Sequence, residues 1–231
     1  IQKWITTQGI HKKHDYRYGD LVYYFYKDII EKHTGKTLDV LSDSLFYRPL
    51  GATTLTYNPL KKFDKSRIAP TENDMHFRKK LVHGTVHDPG AAMLGGVAGH
   101  AGLFSNANDL AKMFQMYLNN GEYGGERFID SAVVADFTRT QFPNEENRRG
   151  AGFDKPSPEG NGPTCGCVSD QSFGHSGFTG TLVWADPDKE IVYVFLSNRV
   201  YPDAENKKII RMNIRTDIQE VIYSAIAEEI Q

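Results

Sequence analysis

The sequence has little of three features that would place it in a class at once: cysteine, charge of one sign, and long apolar runs. Its 231 residues hold 27 Lys and Arg against 29 Asp and Glu, a formal net charge of −2, with no block of one sign. This balance gives no electrostatic footprint for nucleic acid or for an anionic membrane. No apolar run approaches the ~20 residues of a membrane-spanning helix. The composition therefore predicts no nucleic-acid partner and no membrane span.

The two cysteines are Cys165 and Cys167, with one glycine between them. Two cysteines cannot make a structural zinc site, which takes four protein ligands. A disulfide across a single residue would be strained. Because residues i and i+2 of a strand point the same way, we interpret the pair as two small residues on one strand face. No cofactor and no metal ion are expected from this pattern.

Histidines offer an alternative metal reading, since His83, His87 and His100 lie close in sequence, near Asp88. A glycine between the first two and a proline after Asp88 make it hard to present two imidazoles on one helix face. We therefore interpret these histidines as hydrogen-bonding loop residues, with a metal hydrolase as the weaker hypothesis.

The order of the predicted elements indicates an α+β fold: helices come first, then antiparallel strands, then a helix. Helical spacing predicts helices over residues 20–33, with Gly35 as C-cap, and over 38–47 after Thr37. A third helix is capped by Ser105 or Asn106 and ends at Asn119-Asn120-Gly121. Residues 122–140 read as a turn, a short strand and a short helix. We expect one domain over 1–231, with a mainly helical part over 1–142 and strands plus a helix over 143–231.

Strand patterns lie in the second part of the chain. Residues 150–154 and 164–168 are strand-like, and residues 182–185 and 191–197 form a strong hairpin signal. Apolar positions from 209 to 226 predict one long C-terminal helix. Residues 52–90 are irregular, and a glycine-rich segment over 95–102 indicates a backbone packed closely against another element.

The stretch with the clearest functional signal is Phe173-Gly174-His175-Ser176-Gly177-Phe178-Thr179-Gly180-Thr181. Glycines permit close approach of a ligand, hydroxyls supply short hydrogen-bonding arms, and a histidine can donate, accept or carry a proton near neutral pH. This composition is typical of a strand-edge binding site for a small polar or anionic group. A tight turn leading into a hairpin is the alternative.

Several motifs, in their order, make the sequence resemble the serine β-lactamase-like family, which includes class C β-lactamases, DD-peptidases and related esterases. The matching segments are Tyr18-Gly19-Asp20, residues 29–36, Pro49-Leu50-Gly51, residues 95–110, residues 150–153, Gly174-His175-Ser176-Gly177 and Ser197-Asn198-Arg199. The first resembles the family's Tyr-x-Asn or Tyr-x-Asp motif, and the Gly174 segment its Lys-Thr-Gly or His-x-Gly strand. The resemblance runs from about Tyr18 to Arg199 and implies the β-lactamase-like fold.

Two departures from the family pattern qualify this resemblance. No serine in the chain is followed three positions later by lysine, so the family's Ser-x-x-Lys nucleophile motif is missing. We therefore expect the chain to be part of a longer protein whose nucleophile and first strands precede Ile1. The middle residue of the Tyr motif is Gly19, where serine is usual in the family.

The resemblance implies roles for individual residues. Tyr18 would be the catalytic base, with Asp20 and His175 as polar partners. The substrate would lie along Ser176, Gly177, Phe178 and Thr179, with the Phe178 N–H as one oxyanion donor, and His100 would brace the glycine-rich turn beside the cleft. A free phenol is a poor base without nearby cations, and His175 is a weaker cation than lysine. Packing roles for Tyr18 and Asp20, and Ser176 as nucleophile, stay open as alternatives.

The function implied is hydrolysis of an amide or ester through an acyl-enzyme, with a β-lactam, a cell-wall peptide or an ester as substrate. The alternative is a non-catalytic binding domain of a larger protein. The resemblance implies a periplasmic or other extracytoplasmic location. If strands of the fold lie outside the chain, a sheet edge would be uncovered, so we expect self-association through it. The sequence does not set the oligomeric state.

Overall fold

A computed structural model describes residues 2–7, 9, 16–143, 147–160 and 162–229. The described residues form eight α-helices: α1 Gln2–Thr7, α2 Leu21–Thr34, α3 Leu38–Ser42, α4 Pro89–Met93, α5 Ala107–Leu118, α6 Ser131–Thr138, α7 Lys208–Arg211 and α8 Ile214–Glu229. They also form nine strands: β1 Thr56–Tyr57, β2 Pro70–Asp74, β3 Lys80–His83, β4 Leu103–Phe104, β5 Glu122–Tyr123, β6 Glu126–Arg127, β7 Phe173–Ser176, β8 Leu182–Asp186 and β9 Ile191–Phe195. The predicted α+β class is confirmed.

The central sheet is antiparallel, with strand order β7-β8-β9. Its register sets His175 opposite Val183 and Trp184 opposite Tyr193. The predicted hairpin is confirmed as β8 and β9. Within the described part of the chain, β9 pairs only with β8. The other strands form three separate two-stranded pairs: β1 with β4, β2 with β3, and β5 with β6.

Helix α5 covers one face of the central sheet. Its Phe114 packs with Phe173 of β7 and Ala185 of β8 in one buried cluster. Phe153, from the segment before the sheet, joins the cluster, with its ring centroid 5.1 Å from that of Phe173 and 5.5 Å from that of Tyr117. These aromatic rings meet edge to face, the arrangement that ring quadrupoles favour.

Helix α8 covers the other face of the sheet, where Trp184 is buried with its neighbours. Two hydroxyls join helix and sheet: Tyr193 Oη donates to the Arg215 carbonyl at 3.0 Å, and Tyr223 Oη donates to Asp186 Oδ2 at 3.0 Å. Asp186 is fully buried, and burial together with this carboxylate raises the pKa of Tyr223. The sheet is therefore the middle layer between two helices.

The helix boundaries follow the predicted signals closely. Gly35 ends α2 with φ +68°, a left-handed conformation that glycine adopts without strain. Asn106 caps α5 by accepting the Asp109 N–H. Thr37 holds the N-cap position of α3, but the Glu31 carboxylate, not the Thr37 hydroxyl, accepts the Leu38 N–H at 2.8 Å. A π-helical turn, Asp43–Tyr47, then ends the segment before Pro49.

Two predicted strands are wrong. Residues 150–154 and 164–168 are irregular, and the first contributes only one β-bridge, from Asp154 to Gly174. The Asp154 carboxylate binds two arginines, and its backbone exchanges two hydrogen bonds with Gly174 of β7.

The interpretation of the two cysteines is also wrong. Cys165 and Cys167 form a disulfide, with a Cα–Cα distance of 5.2 Å, within the range that disulfides adopt. The segment is a loop rather than a strand, so its backbone can turn the two side chains together. The loop is joined to α8, because the Cys165 N–H donates to Gln219 Oε1 at 3.0 Å.

Two further predictions need correction. The predicted C-terminal helix is two helices, α7 and α8, because Asn213 between them adopts φ +51° and interrupts the α conformation. The segment 52–90, predicted to be irregular, contains β1, the β2–β3 pair and two short 3-10 turns. The boundary at residue 142 stays a prediction. Among the residues described, no helix is long and apolar enough to cross a membrane.

Candidate active site

Tyr18 lies just before α2 and faces the end of β7. Its side chain is 63% exposed, and its ring centroid lies 6.1 Å from that of His175. Two residues separated by 157 positions in sequence, both predicted from motifs, are therefore neighbours in space. Their proximity places a phenol and an imidazole at the edge of the sheet, next to the turn that follows β7.

His175 has both ring nitrogens engaged. Its Nδ1 lies 2.7 Å from the Ser176 carbonyl oxygen, which can only accept, so Nδ1 donates. Its Nε2 lies 3.1 Å from Nη1 of Arg149, which can only donate, so Nε2 accepts. The two contacts together fit a neutral ring whose proton is on Nδ1.

Arg149 is the site residue that sequence reasoning missed. Its guanidinium carbon lies 5.1 Å from the ring centroid of Tyr18 and 5.9 Å from that of Tyr16. The only sequence signal was an arginine-rich loop over 143–149, whose composition is equally typical of a solvated turn. The structure thus adds a permanent cation to the two predicted residues.

Asp154 holds this cation in place. Its Oδ2 lies 3.2 Å from Nη2 of Arg149, and Arg148 binds the same carboxylate through Nε and Nη2 at 2.8 and 3.0 Å. The Asp154 backbone exchanges two hydrogen bonds with Gly174, the neighbour of His175 on β7. Arg149 is therefore fixed relative to the strand that carries His175.

The environment of Tyr18 raises the pKa of its hydroxyl. Burial of part of the side chain is the main cause, and the Asp20 carboxylate adds to it, while the Arg149 guanidinium opposes both. A phenol with a pKa above its usual ~10 stays protonated at neutral pH. For Tyr18 to act as a base, a further cation has to come close to its oxygen.

Asp20 lies at the N-terminus of α2, in the N-cap position, and its side chain caps no helix N–H. A carboxylate there is favoured by the helix dipole. Both roles predicted for Asp20, as a plain helix-start residue and as a polar neighbour of Tyr18, are compatible with this position. A Cβ built on adjacent Gly19 would meet no atom within 4 Å, so the fold would accept the serine usual in the family.

The turn after β7, which we call the rim turn (residues 177–181), is tightly fixed. Gly177 N–H donates to the Thr181 carbonyl at 2.8 Å, and Gly180 N–H donates to the Gly177 carbonyl at 3.0 Å. From the far side, Ser197 Oγ donates to the Gly180 carbonyl and the Arg199 N–H to the Thr179 carbonyl. The predicted binding residues therefore form a rigid edge.

Phe178 presents two groups at this edge. Its side chain is 65% exposed, with the His87 ring centroid 5.2 Å away and the Arg199 guanidinium carbon 4.4 Å from its ring. Its backbone N–H has no hydrogen-bond partner among the residues that the structure describes. A free N–H beside an exposed ring can donate to an incoming oxygen, the property that an oxyanion donor requires.

The contact between His87 and Phe178 depends on a buried charge network. Arg78 donates through Nη1 to the Val86 carbonyl at 2.6 Å and through Nε to Asp74 Oδ2 at 2.8 Å. Glu72 accepts from Arg78 and lies 3.2 Å from Nε2 of His87. The network thus holds residues 86–87 against the rim turn.

Replacing Asp74 with Asn should destabilise the protein at pH 7 by about 1–3 kcal/mol, because hydrogen bonds to a charged group weaken. Hydrogen bonds from Arg78 and from three backbone N–H groups hold the pKa of Asp74 well below its usual range. A depressed folded-state pKa contributes stability above the unfolded value of ~3.9, and this is lost as the pH falls below it. The difference in free energy of unfolding between the two proteins should therefore shrink between pH 5 and pH 3.

Urea unfolding at pH 7, 5, 4 and 3 measures this difference. Asp64 supplies a matched control, since it is exposed and its side chain makes no cap hydrogen bond. Asp64→Asn should leave stability within ~0.5 kcal/mol at each pH. A destabilisation by Asp74→Asn that is the same at pH 7 and pH 3 would contradict the ionic role of Asp74.

The glycine-rich segment packs on α2, as predicted from its composition. A Cβ on Gly99 would lie 2.9 Å from the Tyr23 carbonyl oxygen. The His100 ring stacks on Tyr24 with centroids 4.6 Å apart, and its Nε2 lies 2.9 Å from Asp88 Oδ1. Only 3% of the His100 side chain is exposed, which fits the bracing role. Contact of His100 with a substrate stays a prediction.

The geometry supports neither Ser176 as a nucleophile nor a metal site built from the histidines. The ring nitrogens of His175 bond to Ser176 O and Arg149, so in the described residues neither is bonded to the Ser176 hydroxyl as a nucleophile would require. His83 Nε2 lies 2.6 Å from the Ile68 carbonyl, so this histidine is hydrogen-bonded as predicted, although it ends strand β3 and is not a loop residue. Across the described ranges, no group of three or more His, Cys, Asp or Glu could hold a metal ion.

Comparison with known proteins agrees with the motifs. The family model described as Beta-lactamase matches residues 7–214. A Salmonella typhi protein provisionally named a D-alanyl-D-alanine carboxypeptidase is 37% identical over 205 residues, covering 83% of this chain and 47% of the relative. The chain thus spans about half the length of the curated relatives that it matches.

Solved structures show the same fold at lower identity. A beta-lactamase from Mycobacterium bovis superposes with a TM-score of 0.62 at 19% identity, covering 90% of this chain and 64% of that one. A penicillin-binding protein homologue from Caulobacter crescentus gives a TM-score of 0.54 at 20% identity, covering 78% of this chain and 51% of that one. With a family model matching most of its length, the chain belongs to the Beta-lactamase family of serine hydrolases.

Proposed function

We propose that this chain forms one side of the cleft of a serine hydrolase that acts through an acyl-enzyme on an amide or ester. The carrying observation is the meeting of Tyr18, His175 and Arg149. Three positions after His175, the Phe178 N–H has no hydrogen-bond partner in the described part of the chain. A base candidate and an oxyanion donor are two of the three parts that acyl transfer needs. The third part, a nucleophile in Ser-x-x-Lys, is absent from the 231 residues.

The substrate class that we favour is a peptide ending in D-alanine, as in bacterial cell walls. The name of the Salmonella typhi relative, at 37% identity, supports this choice. An exposed cleft edge with a cation and a free N–H also suits a peptide with a terminal carboxylate. β-Lactams and simple esters are the competing substrates, since both acylate through the same tetrahedral geometry.

A non-catalytic binding domain is the second candidate, and the raised pKa of Tyr18 favours it for the chain by itself. Without a further cation the phenol stays protonated and the cleft could only bind. In either case, the outer edge of β9 is our proposed surface for pairing with another strand, including one from a second copy.

Labelling by a fluorophosphonate and by a penicillin, followed by intact mass measurement, separates these functions. The 231-residue chain and a version extended upstream of Ile1 are compared side by side. We expect a stoichiometric adduct on the longer version alone. An adduct on the 231-residue chain would locate a nucleophile within it, with Ser176 tested first, and no adduct on either would leave the binding domain as the function.

A further inference from the structure

The guanidinium of Arg149 meets four groups at once. It binds Asp154 on one side, His175 Nε2 on another, and lies against the rings of Tyr16 and Tyr18. Its side chain is only 20% exposed. Two backbone hydrogen bonds hold Asp154 to β7. Moving Arg149 away from His175 would therefore break its salt bridge to a carboxylate that is fixed on the sheet.

The hydrogen bonds of His175 admit one protonation pattern. A guanidinium has five N–H donors and no acceptor, and a carbonyl oxygen is only an acceptor. The ring must therefore carry its proton on Nδ1, facing Ser176 O at 2.7 Å, and offer a lone pair on Nε2, facing Arg149 at 3.1 Å. A second proton on Nε2 would point at a guanidinium N–H.

We propose that Arg149 is a positioning residue that keeps Nε2 of His175 unprotonated, so that the ring is neutral with its proton on Nδ1, and that it supplies a permanent positive charge beside Tyr18. His175 then acts as a hydrogen-bonded spacer between β7 and Arg149 rather than as a proton carrier. The cation beside Tyr18 is therefore Arg149, and not His175, the residue of β7 that the motif marks. Only the catalytic consequence of this assignment rests on the proposed function.

The charges around Tyr18 support the same assignment. The Asp20 carboxylate disfavours the phenolate of Tyr18, and the Arg149 guanidinium favours it. Arg149 is thus the counter-charge to Asp20 at the entrance of α2. Arg148 is not interchangeable with it, since its described bonds go to Asp154 and the Lys155 carbonyl.

Long-range 1H–15N NMR of the histidine rings tests the tautomer in the 231-residue chain, with no need for activity. The chain has eight histidines, and the His175 signals are assigned by their loss in His175→Asn. In the wild-type protein we expect a protonated Nδ1 and an unprotonated Nε2. In Arg149→Met at the same pH, a share of the rings should also carry a proton on Nε2, because no guanidinium N–H then faces it, while the Ser176 carbonyl keeps Nδ1 protonated.

Two more variants make the comparison sharp. Arg149→Lys keeps one donor and should keep the Nδ1–H tautomer. Arg148→Met is the matched control: it removes a neighbouring arginine and two bonds to Asp154 but leaves the bond to His175, so the tautomer should not change. If Arg149→Met fails to fold, the wild-type and Arg149→Lys spectra still show whether His175 carries its proton on Nδ1.

Two results would overturn the assignment: a wild-type His175 protonated on Nε2, or a folded Arg149→Met whose Nε2 carries no more proton than that of the wild-type protein at the same pH. Acylation rates of the longer version then test the consequence, with Arg149→Lys expected to be faster than Arg149→Met. A wild-type protein that forms no adduct at any length would reject the proposed acyl-enzyme and leave the tautomer result standing.

Discussion

Gly174→Ala should destabilise the protein by about 3 kcal/mol or more, because the added methyl group overlaps the neighbouring strand. A Cβ at this position would lie 2.2 Å from the Val183 carbonyl oxygen and 2.5 Å from Cε3 of Trp184. The first is backbone in the middle of the sheet and the second belongs to a fully buried ring, so neither can yield cheaply. Overpacking of a rigid core commonly costs 1–3 kcal/mol, and backbone contact places this case at the upper end.

Thermal unfolding measures the effect, and a loss of that size lowers Tm by roughly 10 °C for a chain of this length. Gly19→Ala is the matched control, because a Cβ there meets no atom within 4 Å, and its stability should change by no more than ~0.5 kcal/mol. A Gly174→Ala protein that melts with the control would show that β7 and β8 do not approach as closely as described.

The candidate binding strand, β7, could be predicted from the sequence, whereas several of its neighbours could not. The pattern that predicts this strand is local and lies within about 25 positions. It consists of a glycine, a histidine and hydroxyls, followed by the apolar runs of a hairpin. The hairpin of β8 and β9 and the C-cap at Gly35 are equally local, and both predictions are confirmed. A cap at Ser105 or Asn106 was predicted for α5, and the structure assigns it to Asn106.

Features set by long-range contacts were missed. Residues 150–154 have strand composition, but their described pairing is one bridge, from Asp154 to Gly174, 20 positions further along the chain. The disulfide between Cys165 and Cys167 lies in a loop whose Cys165 N–H bonds to Gln219, 54 residues away. No sequence pattern within residues 150–154 or 165–167 predicts the distant residue that each segment contacts.

The candidate site divides in the same way. Tyr18 and His175 were marked by motifs, and the structure brings their rings to 6.1 Å. Arg149 was not marked, because its function follows from its position over Tyr18 and beside His175, 26 residues further along the chain. Motifs record residue types at fixed spacing, whereas a cation can reach a site from any loop that packs against it.

Tyr18→Phe should lower the acylation rate about 100- to 10,000-fold in the version of the protein that forms an adduct, the size of a lost general base. The substitution removes one oxygen and keeps the ring that packs against Arg149. In the described residues the Tyr18 hydroxyl makes no hydrogen bond, and its side chain is 63% exposed, so stability should change by less than ~0.5 kcal/mol. A large loss of rate without loss of stability is the signature of a chemical role.

Rates of adduct formation, followed by intact mass under single-turnover conditions, measure the effect. Tyr16→Phe is the matched control: its ring also lies beside the Arg149 guanidinium, 5.9 Å from its carbon, and its hydroxyl has no proposed role, so the rate should stay within about twofold. The burial and the Asp20 charge that raise the pKa of Tyr18 imply that the wild-type rate itself depends on a second cation near the phenol. If Tyr18→Phe acylates as fast as the wild-type protein, the phenol is a packing residue, and the base has to be a group outside the Tyr18-Gly19-Asp20 motif.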